Sequence, residues 1–156
     1  MSTRSDILDA LRVDFATITT GNSYNGTIKS VVKYIKDFER VDETSLDFAY
    51  LFSLPETQEM GESIGSWTWR VGFMIYYKTA GIDSSETGLM EASAEEYIED
   101  VKQLFNTGSN PPSVARTVDA LDPVEAIFLE TIEPYFLTNQ DYIGVVIGAL
   151  NILYQD

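Results

Sequence analysis

The chain has 156 residues, 44% of them hydrophobic and 12% aromatic, with 25 acids against 10 bases for a formal charge of −15. A chain of this length buries about 70% of the surface its unfolded form exposes, enough for one domain spanning residues 1–156. Cysteine and histidine are both absent, which excludes disulfides, zinc–thiolate sites and thiol nucleophiles and removes the commonest general base. The charge is uneven: residues 1–78 hold eleven acids and eight bases, residues 79–156 fourteen and two. Holding nucleic acid by its phosphates needs clustered Lys and Arg, so such binding is not expected. A surface this acidic is either a solvated face or one that repels or imitates a polyanion. No apolar run approaches the ~20 residues that span a bilayer, and the N-terminus lacks the apolar core of a signal peptide. No membrane is expected, and folding should take place in a reducing cytoplasm.

The first predicted element is a helix. Ile7, Leu8, Leu11, Phe15 and Ile18 make a single apolar stripe, with Thr3 or Ser5 as N-cap and Gly21-Asn22 as the stop. Asn25-Gly26 turns the chain into a strand from about 27 to 38, whose lysines suit a sheet edge. Lys29, Lys33, Lys36 and Arg40 hold four of the ten bases. Asp37, Glu39, Asp42 and Glu43 crowd them, so a solvated face or a subunit contact is expected here rather than a nucleic-acid patch.

A second strand follows, with Leu46, Phe48, Tyr50, Phe52 and Leu54 alternating with Asp47, Ala49, Leu51 and Ser53. Pro55, lacking an N–H, should end it. Residues 56–66 read as a polar loop at the tip of an extended hairpin. Trp67 to Lys78 is the clearest strand: Trp69, Val71, Phe73, Ile75 and Tyr77 share one face. The other face carries Thr68, Arg70, Gly72, Met74 and Tyr76, a semi-apolar set that places the strand mid-sheet. Gly72 marks a bulge or a close approach.

A second helix is predicted after Ser84-Ser85-Glu86-Thr87. Met90, Ala94, Tyr97, Ile98, Val101, Leu104 and Phe105 form its stripe, and Glu91, Glu95, Glu96, Glu99 and Asp100 are read as its solvated acidic face. Hard cations take carboxylates, but no Asp-x-Asp-x-Asp-Gly loop accompanies them. Val114, Val118 and Leu121 suit a short helical turn. Residues 124–137 read as a strand that Pro134 confines to an edge or a bulge, with a helix as the rival assignment. Tyr142–Tyr154 is nearly all apolar, a strand covered on both faces. Two helices and five strands in the order α-β-β-β-α-β-β make an α+β domain: a mixed or antiparallel sheet packed by two helices.

Gly-rich phosphate loops, Gly-x-Ser-x-Gly elbows and His-Glu-x-x-His helices do not occur. No enzymatic activity, cofactor or metal is expected. The layout instead resembles one known family. Ser5-Asp6-Ile7-Leu8-Asp9-Ala10-Leu11 opens the chain, and Gly21-Asn22-Ser23-Tyr24-Asn25 breaks it. Strands then end in Leu54-Pro55-Glu56 and restart at Trp67-Thr68-Trp69-Arg70-Val71, an acidic helix follows, and an apolar strand closes on Leu153-Tyr154. This pattern, across nearly the whole chain, resembles the tail terminator (tail completion) proteins of long-tailed bacteriophages.

The resemblance implies an α+β fold without catalytic residues. It implies a homo-oligomeric ring, typically a hexamer, that caps the tail tube, stops its polymerisation and joins it to neck or connector proteins. The location would be the virion, after assembly in the host cytoplasm, with DNA passing through the lumen unbound. Candidate subunit or tail contacts are Glu56, Glu59, Met60, Glu62 and Ile64 in the hairpin tip, together with Lys29, Lys33, Lys36 and Arg40. Two other readings stand beside it: an acidic mimic of nucleic acid that inhibits a basic DNA-binding protein, and a different neck or connector ring.

Overall fold

Alternation sets the centre of the fold. In the computed structural model, which describes residues 3–33, 46–58, 66–78, 87–106, 110–136 and 143–155, the strand Ser66–Lys78 buries Trp69, Val71, Phe73, Ile75 and Tyr77 to 1% exposure or less. In chain order the elements are helix α1 (Thr3–Ala16), strands β1 (Ser30–Val32), β2 (Phe48–Gln58) and β3 (Ser66–Lys78), helix α2 (Thr87–Leu104), and strands β4 (Val124–Phe136) and β5 (Ile143–Gln155). They form one five-stranded sheet in the order β1-β2-β3-β5-β4. β1 runs parallel to β2 and every other neighbouring pair is antiparallel. This is the expected α+β domain, with β3 in the middle of a mixed sheet.

Both helices lie on the face to which Trp69, Phe73 and Tyr77 point. Phe15 of α1 meets the Phe73 ring at 5.2 Å and Tyr97 of α2 meets Tyr77 at 5.7 Å. Ile7, Leu11, Val101 and Leu104 complete this core with Val146, Leu150 and Ile152 of β5. The opposite face has a smaller cluster of Leu46, Phe48, Tyr76, Ile143 and Val145, in which Phe48 and Tyr76 stack at 4.8 Å.

Trp69 is tied down on every side. Its indole N–H donates to Ser53 Oγ at 3.0 Å, and Arg4 lies 4.7 Å over its ring while bonding the same hydroxyl at 2.7 Å. Aromatic rings also rest on glycines across the strands. Phe73 is opposite Gly148 and Tyr77 opposite Gly144 on the helix side, while Phe52 is opposite Gly72 on the other. A Cβ at Gly72 would sit 2.3 Å from the Phe52 ring, so the expected close approach is present.

The structure departs from expectation at several points. α1 ends at Ala16, before Gly21, and Ser23 rather than a glycine takes the left-handed conformation, at φ 69°. Ile18 is nevertheless buried, because the chain folds back after the helix and Ile28 N–H bonds the Ile18 carbonyl at 2.9 Å. β1 covers only Ser30–Val32 of the strand expected from 27 to 38. Residues 34–38 lie outside the described residues. Pro55 does not end β2: a register shift between Ser53 and Glu56 accommodates it, and pairing with β3 resumes at Glu56 opposite Trp69. A proline is tolerated there because β2 pairs with β1 only over residues 48–50. β4 is a strand and an edge, as Pro134 requires, with shifts between Val124 and Ala126 and between Leu129 and Thr131.

Candidate functional site

Three aspartates tie loops and strand ends to the helices. Asp14 is fully buried on α1 and accepts N–H bonds from Thr117 at 2.5 Å and Val118 at 3.0 Å. Asp100 on α2, 1% exposed, accepts from Asn25 and Gly26, both at 2.8 Å. Burial holds both carboxyls above the usual carboxylate range, and the N–H donors oppose that shift without cancelling it. Asp47 works at the start of β2. Its carboxylate accepts from the Tyr97 hydroxyl and, at 3.0 Å, from Lys78 N–H, while its carbonyl accepts Lys29 N–H at 2.9 Å. Burial and the facing carboxylate push the Tyr97 phenol well above its ordinary value.

Asp100 therefore corrects the expected acidic face of α2. Glu95, Glu96 and Glu99 are exposed as foreseen, but Asp100 points inward. The signal was in the spacing. Asp100 lies three residues after Tyr97 and four before Leu104, and Asp14 three after Leu11 and four before Ile18, so both sit on the apolar stripes. A buried carboxylate needs donors, and the two loops supply them.

Of the candidate contact residues, Lys29 and Lys33 flank β1 at the sheet edge and are exposed. Glu56 holds a place in the β2–β3 ladder. Glu59, Met60, Glu62, Ile64, Lys36 and Arg40 lie outside the described residues. At the other edge, β4 exposes Phe128 (62%) and Tyr135 (41%) on the side away from the helices. On that side Arg70 of β3 reaches over β5 to bond Glu130 of β4 at 2.8 Å. Sequence reading did not single out Phe128 or Tyr135 as surface residues. Strand alternation alone cannot show which face the helices leave open.

Described residues form two hollows on the surface. One of about 380 Å³ lies between the Asn25 turn and the end of α2, lined by Asn25, Glu99, Lys102, Gln103, Asn106 and Asn110. Another, of about 340 Å³, lies between Arg116 and the start of β4. Neither joins a nucleophile to a base. Among the described residues no cluster of carboxylates could hold a metal ion, and no helix is long and apolar enough to cross a membrane. Comparison with known proteins finds no matching family model and no matching curated sequence. Among the described residues the surface itself is the candidate: an acidic helix face on one side, and on the other a sheet whose outermost strands are β1 and β4.

Proposed function

We propose that the chain is a structural virion protein of the tail-terminator kind, a ring subunit that caps the tail tube, ends its polymerisation and joins tail to neck. The observation that carries the reading is the element order. The α-β-β-β-α-β-β sequence on which the family resemblance rests is the order of the folded chain. The physics is compatible. A subunit of a passive ring needs surfaces rather than a cleft, and an acidic wall lets DNA slide through a lumen without sticking. The outward Glu95, Glu96 and Glu99 of α2 suit such a wall.

The test is the mass of the purified protein in solution, with negative-stain imaging. Closed rings of about six copies are expected, and virions assembled without the protein should carry tails of uncontrolled length. A monomer that binds a basic DNA-binding protein would replace this reading with the nucleic-acid mimic. Rings that bind neck proteins while tails keep their normal length without the chain would point to a different connector.

A further inference from the structure

The two edges of the sheet differ in charge. At the β1 edge Lys29 and Lys33 are exposed, and among the described residues neither is held in an ion pair. At the β4 edge Glu125, Glu130 and Glu133 are exposed without a basic residue in the strand. Acids, a proline and bulges on an edge strand guard it against pairing with itself. Two β4 edges related by a two-fold axis would set these glutamates against one another, which is destabilising. The guard has one sign only, and among the described residues the opposite edge of the sheet carries the other.

Strand direction fits as well. From β1 across to β4 the pairings run parallel once and antiparallel three times, so β1 and β4 point in opposite directions. Copies placed side by side with the same orientation would bring β4 of one antiparallel to β1 of the next.

We propose that this chain associates with a second copy of itself head to tail, β4 of one subunit pairing with β1 of the next in one continued sheet. The inference deepens the ring reading above and rests on it. Residue pattern selects a register. Val31 and Ile132 are each half-buried and pack on the helix-side core, so placing them opposite each other continues that core across the joint. Lys29 and Lys33, on the helix side, and Glu130 and Glu133, on the other, then lie along one joint, so opposite charges meet along its edge rather than as facing pairs. Val32 falls opposite Thr131, both on the side away from the helices. Pro134 lies beyond the part of the joint that β1 can reach. A heterologous contact of this kind closes into a ring when the rotation per subunit divides the circle, and grows into a filament when it does not.

The absence of native cysteine makes the test clean. Directly opposite residues in an antiparallel pair have Cα atoms about 4.5–5.5 Å apart, within disulfide range. The full-length Val32→Cys/Thr131→Cys protein, oxidised mildly, should give a ladder of disulfide-linked species ending in a covalent closed oligomer. A mixture of the two single variants should give only the mixed dimer. In the second arm, Lys29→Glu/Lys33→Glu should raise the subunit dissociation constant about tenfold or more. Adding Glu130→Lys/Glu133→Lys to the same chain should restore assembly. Rings that form normally but never cross-link, and that ignore the charge reversal, would overturn this joint and leave the ring reading standing. Disulfide homodimers of Thr131→Cys alone would overturn it in favour of β4–β4 pairing. A wild-type protein that is monomeric at all concentrations would overturn both the joint and the ring.

Discussion

Replacing Trp69 with alanine removes the largest side chain of the core from a site with no solvent exposure. A buried tryptophan withdraws roughly 200 Å² from water, which at about 25 cal/mol per Å² is worth about 5 kcal/mol before relaxation. The indole also meets Tyr154 edge-on at 6.2 Å and donates to Ser53. Ser53 is exposed and keeps its bond from Arg4, so losing that donor adds little. Arg4 is exposed as well, and its stacking on the ring contributes only about 0.5–1 kcal/mol. Allowing for partial collapse of the cavity, the net loss should be ~3–5 kcal/mol. That corresponds to a fall of about 10–15 °C in Tm for a chain of this size. Urea melts at unchanged slope would measure it, with Trp67→Ala as comparator, because Trp67 is only partly buried. Trp69→Phe keeps most of the apolar area and should retain at least half of the lost stability. A Trp69→Ala loss below about 2 kcal/mol would show that the strand's inward face has been assigned wrongly, and one smaller than that of Trp67→Ala would show that the core is centred nearer the strand's start.

Asp100→Asn offers one acceptor where two N–H groups converge, and should cost about 1–3 kcal/mol. It should also speed hydrogen exchange at the Asn25 and Gly26 amides, whereas unchanged exchange there would remove the anchoring role. Acidification should initially stabilise the protein. A carboxyl whose pKa is raised on folding favours the folded state while protonated, so this contribution is full below the unfolded value near 3.9 and is lost as pH rises through the folded value. Tm should therefore climb as pH falls from neutral towards the unfolded value, less steeply in Asp14→Asn/Asp100→Asn, and equal slopes in the two proteins would contradict the shifts. Gly148→Ala places a Cβ 2.4 Å from the Thr131 carbonyl oxygen and 2.5 Å from the Phe73 ring, and should cost about 1–3 kcal/mol through overpacking. Gly21→Ala, which meets only Thr19 at 3.7 Å, should stay within about 0.5 kcal/mol of wild type, and equal losses at the two sites would refute the crowding argument.

The elements that sequence alone located best are those whose burial repeats over many residues. β3 and β5 each run for thirteen residues, long enough for alternation or continuous apolarity to be unmistakable. β1 holds only three, too few for any period, so its extent was set by the sheet rather than by its own pattern. Pro55 misled because its lost N–H matters only where a neighbour needs it, and among the described residues β2 has none there on its β1 side. Asp14 and Asp100 were legible as acids on apolar stripes, yet their meaning depended on loops more than seventy residues away in sequence. The proposed contact surface was least legible. The lysines could be read as an edge, but the acids proposed to meet them lie on a strand whose place at the far side of the sheet comes from topology.

The three ring-on-glycine contacts have a mechanical consequence. All of them involve β3: Phe73 and Tyr77 lie over glycines of β5, and Gly72 lies beneath Phe52 of β2. Sliding β5 along β3 by one full pleat, the smallest step that keeps apolar residues inward, would drive Phe73 onto Val146 or Leu150 instead of Gly148. The central strands thus behave like toothed plates that cannot shear in small increments. A pull applied between the two outer strands should be borne with little yielding and then released in one abrupt rupture.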